Sequence, residues 1–379
     1  MSTKEFRFIV KIFLAWLGLL FLILFFAVKF IPSQKDLVGG GYLNYIKNPY
    51  LLSFGNFDGE HYISIAKSGY GLGEYAFFPL YPLLINGFGK IFGTNLFVLN
   101  FVGVLISLTA FFVGLLGFFK LLRIDFSEKF SKTVILLLVL FPTSFYFAAV
   151  YSESLFFALL VWTFYFARRG NYFAASILGM FLTATRFVGI IILPAILFEW
   201  FLQNRTNRLK HFPDVVLAIP IGIFAYMYYL EKKVHDIFAF FTSLTAYGEQ
   251  RSNHLITLPQ VFYRYLFKIL PNLNFNFFPG IFSTGFEFFI GIFYLFLSII
   301  AFARVRFSYS IILLLGYLLP TFSGSFSSLP RYVLILFPAY IIFTQFVSKS
   351  KFYLFVFSAI SFILLVISFS LFARGYWIS

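Results

Sequence analysis

The sequence predicts an all-α polytopic integral membrane protein: about eleven transmembrane helices, with interfacial or re-entrant helices besides, in a single domain spanning 1–379. Three observations carry the prediction. Of the residues, 61% are hydrophobic and 11% charged, whereas a soluble domain keeps roughly a quarter of its residues charged. Mean hydropathy is +0.91. Apolar stretches recur along the whole chain, many near the length of about 20 residues that crosses a hydrocarbon core of about 30 Å. Lipid offers the backbone no hydrogen-bond partner, so such stretches should be helices. A β-barrel would alternate polar and apolar residues, and these runs are continuous.

In chain order the spans read 6–31, 97–119, 133–150, 153–168, 172–186, 187–202, 214–231, 278–302, 308–322, 332–348 and 352–372. The first follows Lys4, Arg7 and Lys11. It is too long for a signal-peptide core, and Ile31-Pro32-Ser33-Gln34 lacks the small-residue pattern of a cleavage site, so it reads as a retained span. The stretch 77–95 is apolar but short, and Pro79 and Pro82 interrupt its start.

Loop charge decides how 77–95 is read. If it does not cross, Lys120, Arg123, Lys129 and Lys132 fall on the cytoplasmic side with Arg168-Arg169, Arg205/Arg208/Lys210, Arg304/Arg306 and Lys349/Lys351. Sixteen of the 29 basic residues are then inside with five acids, a balance of +11 against +4 for the remainder. That asymmetry follows the positive-inside rule and places the N-terminus in the cytoplasm. The segment 77–95 therefore reads as a re-entrant or interface-lying helix. The net charge of +15 is accounted for by these loops and does not call for nucleic acid. Without cysteine the chain has no disulfide, thiolate metal site or thiol nucleophile.

Two longer polar segments fall outside: a first outer loop, 32–96, and a second, 232–277. Long loops in compact proteins tend to carry function or be disordered. The densest polar cluster, Phe57-Asp58-Gly59-Glu60-His61-Tyr62, lies in the first. Asp58, beside Glu60 and His61, has the chemistry of a general base whose basicity partial burial would tune. Two carboxylates and a His could alternatively hold a divalent metal, or the loop could simply be solvated. Glu153, Arg186, Arg251 and Arg331 fall on the same outer side, and Glu287 lies inside an apolar run. Ionisable groups at membrane depth are functional by default, since burial is costly unless they are paired; a structural Glu153–Arg186 ion pair is the plainer alternative. Arginines beside a carboxylate suit a phosphate, whose oxygens match the guanidinium fork.

Asn56-Phe57-Asp58-Gly59-Glu60-His61-Tyr62, Ile65-Ala66-Lys67-Ser68-Gly69-Tyr70 and Tyr75-Ala76-Phe77-Phe78-Pro79-Leu80-Tyr81-Pro82-Leu83 resemble the PIG-V family, which includes the second mannosyltransferase of GPI-anchor synthesis and many bacterial relatives. Phe141-Pro142-Thr143-Ser144-Phe145, Tyr151-Ser152-Glu153-Ser154-Leu155-Phe156, Thr185-Arg186-Phe187-Val188-Gly189 and Leu329-Pro330-Arg331-Tyr332 continue the resemblance in order, so that it runs from about 56 to 340. Phe57 stands where the family usually carries Trp.

The resemblance implies a GT-C type glycosyltransferase of the mannosyltransferase class that takes a hexose from a polyprenyl-phosphate donor at the non-cytoplasmic face. It implies Asp58 as catalytic base, activating a hydroxyl of a glycolipid or glycan acceptor for one inverting displacement. Arg186, Arg331 or Arg251 would stabilise the departing phosphate. Glu60 and His61 would orient Asp58 or bind acceptor hydroxyls, Glu153 would belong to the substrate-binding set, and Tyr81 and Tyr151 would stack on sugar or line a lipid groove. No cofactor is required, and a divalent metal is possible but unnecessary. Membrane lipids surround the chain, and the short loops fit a bacterial plasma membrane with the active site outside. The competing class is a lipid or lipid-linked sugar flippase, which predicts pseudo-symmetric halves and broken helices at the midplane. A non-catalytic subunit of a glycosylation complex would have the same fold.

Overall fold

The computed structural model describes residues 1–36, 38–203, 214–243 and 254–378. Among the described residues every regular element is helical. The helices of eleven residues or more are α1 (Thr3–Phe30), α2 (Asp58–Ser68), α3 (Leu80–Phe92), α4 (Leu96–Asp125), α5 (Glu128–Val139), α6 (Glu153–Arg168), α7 (Tyr172–Thr183), α8 (Ile192–Gln203), α9 (Ile221–Val234), α10 (Phe278–Arg304), α11 (Phe307–Thr321), α12 (Phe337–Val347) and α13 (Lys351–Ala373). Each apolar stretch predicted as a span contains one of them, while α2 and α3 occupy the first long loop. Four, α1, α4, α10 and α13, are long and apolar enough to cross a membrane. The chain is an integral membrane protein.

Sequence chemistry sets the helix ends. Ser2 caps α1 in a reciprocal box with Glu5, and Asn95, Ser127, Asn171 and Ser350 accept from backbone N–H groups at the starts of α4, α5, α7 and α13. These side chains satisfy donors that a helix start leaves without an internal partner. Helix α3 is 13 residues long, about 20 Å at 1.5 Å per residue and shorter than a bilayer core. One of its sides is buried through Tyr81 and Ile85, while Leu83 and Ile91 are exposed.

Three predicted spans are not continuous helices, of which 214–231 is a 3-10 turn, Asp214–Ala218, followed by α9. The stretch 133–150 stops being α-helical at Val139, just before Phe141-Pro142, because a residue preceding proline is pushed out of the helical region. The chain then runs as irregular buried backbone, with one 3-10 turn at Ser144–Phe147, until α6 begins at Glu153. Likewise 332–348 is a short helical turn, Leu329–Val333, followed by a break and then α12. Irregular backbone at membrane depth is tolerated where protein surrounds it, and here specific bonds do so. Thr143 Oγ1 donates to Pro330 O at 2.9 Å, Ser154 Oγ to Phe147 O at 2.7 Å, and the Val150 N–H to Phe54 O at 2.8 Å.

The start of α6 is fixed by close packing against α4. A Cβ on Gly114 would lie 2.8 Å from the Phe157 ring, and one on Gly117 would lie 2.6 Å from Trp162 Nε1. Small residues let helix backbones approach where apolar burial gives no drive for association. The start of α2 is fixed by Asn56, fully buried. Its Oδ1 accepts the Gly39 N–H at 2.8 Å, and its Nδ2 donates to Phe372 O at 2.8 Å and Ala373 O at 3.2 Å. One carboxamide thus ties the first loop, α2 and the end of α13 together. Asn56→Ala strands these buried groups, each costing about 1–3 kcal/mol. The thermal unfolding midpoint in detergent should fall clearly below wild type; an unchanged midpoint would show that the clamp is not structural.

Candidate active site

Asp58 owes its position to an unusual turn. Phe57, immediately before it, has φ +57° and ψ −119°, a conformation that costs a non-glycine residue about 1–3 kcal/mol and persists only when its surroundings impose it. They do so from three directions. Asn56 is clamped as above. The Phe57 ring packs against Phe372 and edge-on against Trp377, with ring centroids 5.6 and 5.0 Å away. The Tyr151 hydroxyl donates to Asn56 O at 2.9 Å and accepts the Asp58 N–H at 3.2 Å.

The turn delivers Asp58 to a cluster of four charges. Arg331 Nη1 donates to Asp58 Oδ2 at 2.5 Å, and Arg331 Nε lies 3.4 Å from Glu153 Oε1. Arg186 Nη1 donates to the same Glu153 oxygen at 2.5 Å. Two arginines thus share two carboxylates, and the formal charge sums to zero. The Glu153 side chain is 1% exposed and that of Arg331 5%, so the pairing is obligatory: unpaired charges in such surroundings cost several kcal/mol each. Helix ends assist. Asp58 and Glu153 are the first residues of α2 and α6, where the helix dipole favours an anion, and Arg186 follows the end of α7, where it favours a cation.

Three tyrosines surround the Arg331 guanidinium. Its carbon lies 5.1, 5.3 and 5.6 Å from the ring centroids of Tyr332, Tyr151 and Tyr146, and Arg186 lies 5.0 Å from Tyr332. Tyr146 is itself held through its hydroxyl, which donates to Ile378 O. Asp58, Arg186 and Arg331 line a cavity of about 690 Å³, within the range of small-molecule sites. Leu160, Ile191, Leu319, Pro320 and Leu336 also line it. The cavity therefore offers a ligand both charged and apolar contacts.

The other residues singled out from the sequence are placed as follows. Glu60 and His61 both line the cavity, but they diverge from Asp58. Glu60 Oε1 accepts the Gly40 N–H at 2.8 Å. Desolvation by surrounding protein raises its carboxyl above the usual range, with the Gly40 and Gly41 N–H groups pulling the other way, although part of the side chain is open to solvent. His61 Nδ1 lies 3.3 Å from Glu74 Oε1, and its ring stacks on Phe77. Among the described residues no three His, Asp or Glu side chains gather as a metal-binding set. Tyr151 lies under the Asp58 turn. Tyr81 does not line the cavity; its hydroxyl bonds Gly103 O and Ser107 on α4, holding α3 in place. Glu287 accepts from the Tyr265 hydroxyl at 2.9 Å and does not line the cavity. Arg251 lies outside the described residues. Asn56, Tyr146, Tyr332 and Trp377 were not assigned roles from the sequence. Asn56 and Tyr332 are chain neighbours of assigned residues, a usable signal; Tyr146 and Trp377 reach the site only through the fold.

The sequence profile of the family described as Mannosyltransferase (PIG-V) matches residues 6–207, a stretch holding Asp58, Glu153 and Arg186 but not Arg331. No curated protein sequence matches the chain. Among solved structures the fold is similar to "Crystal Structure of ArnT from Cupriavidus metallidurans bound to Undecaprenyl phosphate", with a TM-score of 0.50 and 16% identity. The alignment covers 90% of this chain and 60% of that one. At this identity the likeness is one of fold, and the chain spans about three fifths of that protein's length.

Removing one member of the cluster should be far worse than its solvent exposure suggests. Glu153→Gln takes from Arg186 and Arg331 the carboxylate that both approach, and breaking such a buried pair costs about 3–5 kcal/mol. Because Glu153 and Arg186 are direct partners, the double variant Glu153→Gln/Arg186→Gln should be less destabilised than the sum of the single variants. Strict additivity in thermal unfolding would contradict the pairing.

Proposed function

The chain belongs to the mannosyltransferase (PIG-V) family, a family of glycosyltransferases, and on that premise we propose that it moves a hexose, mannose first among candidates, from a polyprenyl-phosphate donor to a hydroxyl of a glycolipid or glycan acceptor, at the non-cytoplasmic face. The observation that carries the reading is a cavity in which a carboxylate at a strained helix start meets two arginines, while Leu160, Ile191, Leu319, Pro320 and Leu336 give it apolar wall as well. A sugar phosphate attached to an isoprenoid chain has that same division of chemistry. The fold likeness to a protein whose title records bound undecaprenyl phosphate supports the donor class.

The reaction proceeds in one displacement. Asp58 accepts the proton of the acceptor hydroxyl as that oxygen forms its bond to the anomeric carbon. The bond from that carbon to the phosphate oxygen breaks on the opposite face, and its electron pair leaves with polyprenyl phosphate, inverting the centre. Arg331 and Arg186, fixed before the reaction begins, stabilise the charge that grows on the phosphate. Such preorganised donors are commonly the largest single contribution to rate. The step needs no divalent ion. His61 and Glu60, on the cavity wall beside Asp58, are placed to bind acceptor hydroxyls, and Trp377, partly exposed against Phe57, offers the sugar a flat apolar face.

The test is sugar release from radiolabelled polyprenyl-phosphate mannose by the purified chain in lipid nanodiscs. Asp58→Asn should lower transfer by about 10²–10⁴-fold, the scale of general-base catalysis, while leaving the protein monodisperse. Wild-type transfer should survive EDTA. Transfer by Asp58→Asn at the wild-type rate would remove Asp58 as the base, and loss of wild-type activity in EDTA would reinstate a metal. Movement of intact labelled lipid between leaflets without transfer would favour the flippase instead.

A further inference from the structure

The geometry sets Asp58 two tasks. A base must offer an oxygen to a proton, yet Arg331 Nη1 already holds Asp58 Oδ2 at 2.5 Å. Resting on the transferase reading above, we propose that Arg331 is a shared clamp for which Asp58 and the lipid phosphate compete. In the arrangement described above it pairs with Asp58. When the donor enters, its edge passes to the phosphate, and Asp58 is released to act as base only once a donor is in place.

Three features of the site support such an exchange. The first is how the guanidinium is held. Three tyrosines surround it at 5.1–5.6 Å, an attraction between cation and ring face that leaves the hydrogen-bonding edge able to change partner. The second is unused capacity. Arg331 Nε and Glu153 Oε2 are both buried with no hydrogen-bond partner, although most buried polar atoms have one. The guanidinium fork offers five N–H donors; here Nη1 serves Asp58 and Nη2 reaches Tyr332 Oη at 3.3 Å. The third is charge. The two arginines and two carboxylates sum to zero, and a bound phosphodiester brings the cluster to −1. In the reaction the phosphate gains one negative charge as Asp58 loses one to the incoming proton, so the total does not change. Arg331, between the two, faces a migrating charge and not a new one, which suits surroundings where uncompensated charge is expensive.

The clamp makes an uncommon forecast: disabling the base should tighten binding of the lipid phosphate. The probe is undecaprenyl phosphate, titrated against the full chain in nanodiscs. Asp58→Asn should bind it about tenfold or more tightly than wild type, the scale of a charge-assisted hydrogen bond regained, and Arg331→Gln more weakly by a similar factor. In the double variant the gain from Asp58→Asn should vanish. If the gain persisted undiminished without Arg331, Asp58 would act by simple repulsion and the clamp would be overturned, as it would by wild-type affinity in Asp58→Asn. Should Arg331→Gln fail to fold, Arg331→Lys, which keeps the charge but not the fork, takes its place with the same expected loss of the gain. The transfer assay separates the two claims. An active Asp58→Asn overturns the base reading, whereas an inactive Asp58→Asn without the affinity gain overturns the clamp alone.

Discussion

Four charges in an apolar bundle, Glu153 and Arg331 buried and Asp58 and Arg186 half-buried, must neutralise one another, and much of the architecture around the cavity serves that requirement. Asp58, Glu153, Arg186 and Arg331 come from four separate parts of the chain, each at or beside a helix end. In this chain the four charges sit at or beside helix ends and not deep within helices, so the gaps between helices decide where they meet. The breaks at 140–152, 184–191 and 334–336 are therefore the means by which charges reach a common point. Each break leaves backbone groups that neighbouring segments must satisfy. Thr143, Ser154, Asn56 and Tyr151 do this work, and all four are buried.

A second ionic network marks the contrast. At the far end of α6, about 22 Å from Glu153 by helix rise, Arg168 grips Asp125 with two bonds of 2.6 and 2.7 Å and lies 3.2 Å from Glu199. Glu199, fully buried, also accepts from Arg306, Ser308 and Gln203. None of these charged atoms is among the buried groups lacking a hydrogen bond. This network joins α4, α6, α8 and the start of α11 and has the character of a lock. The cluster around Asp58 keeps unbonded donor and acceptor atoms and opens onto a cavity. A transporter reading expects its charges near the midplane, whereas here the two networks lie at opposite ends of α6.

Much of this was legible in the sequence for identifiable reasons. Apolar length located a helix in every predicted span, since span length is dictated by bilayer thickness. The Asp58 motif, Arg186 and Arg331 stand out because polar residues are scarce in such a chain, and the sequence already offers Glu153 and Arg186 as an ion pair. Two things were not legible. Apolar length alone concealed the helix breaks near Pro142 and Pro338, because buried irregular backbone is as apolar in composition as a helix. The contact of Arg331 with Asp58, 273 residues apart, and the support from Tyr146 and Trp377 have no local signature, since they arise only when α13 and the residues after it close against the first loop.

The central claim is that a lipid phosphate and Asp58 meet at Arg331. The most direct measurement is a cryo-EM structure of the wild-type chain in nanodiscs with undecaprenyl phosphate. The account predicts phosphate density within hydrogen-bond distance of Arg331, the lipid chain against Leu160, Leu319 and Leu336, and the Asp58–Arg331 bond opened. Phosphate bound elsewhere, with that bond intact, would contradict it.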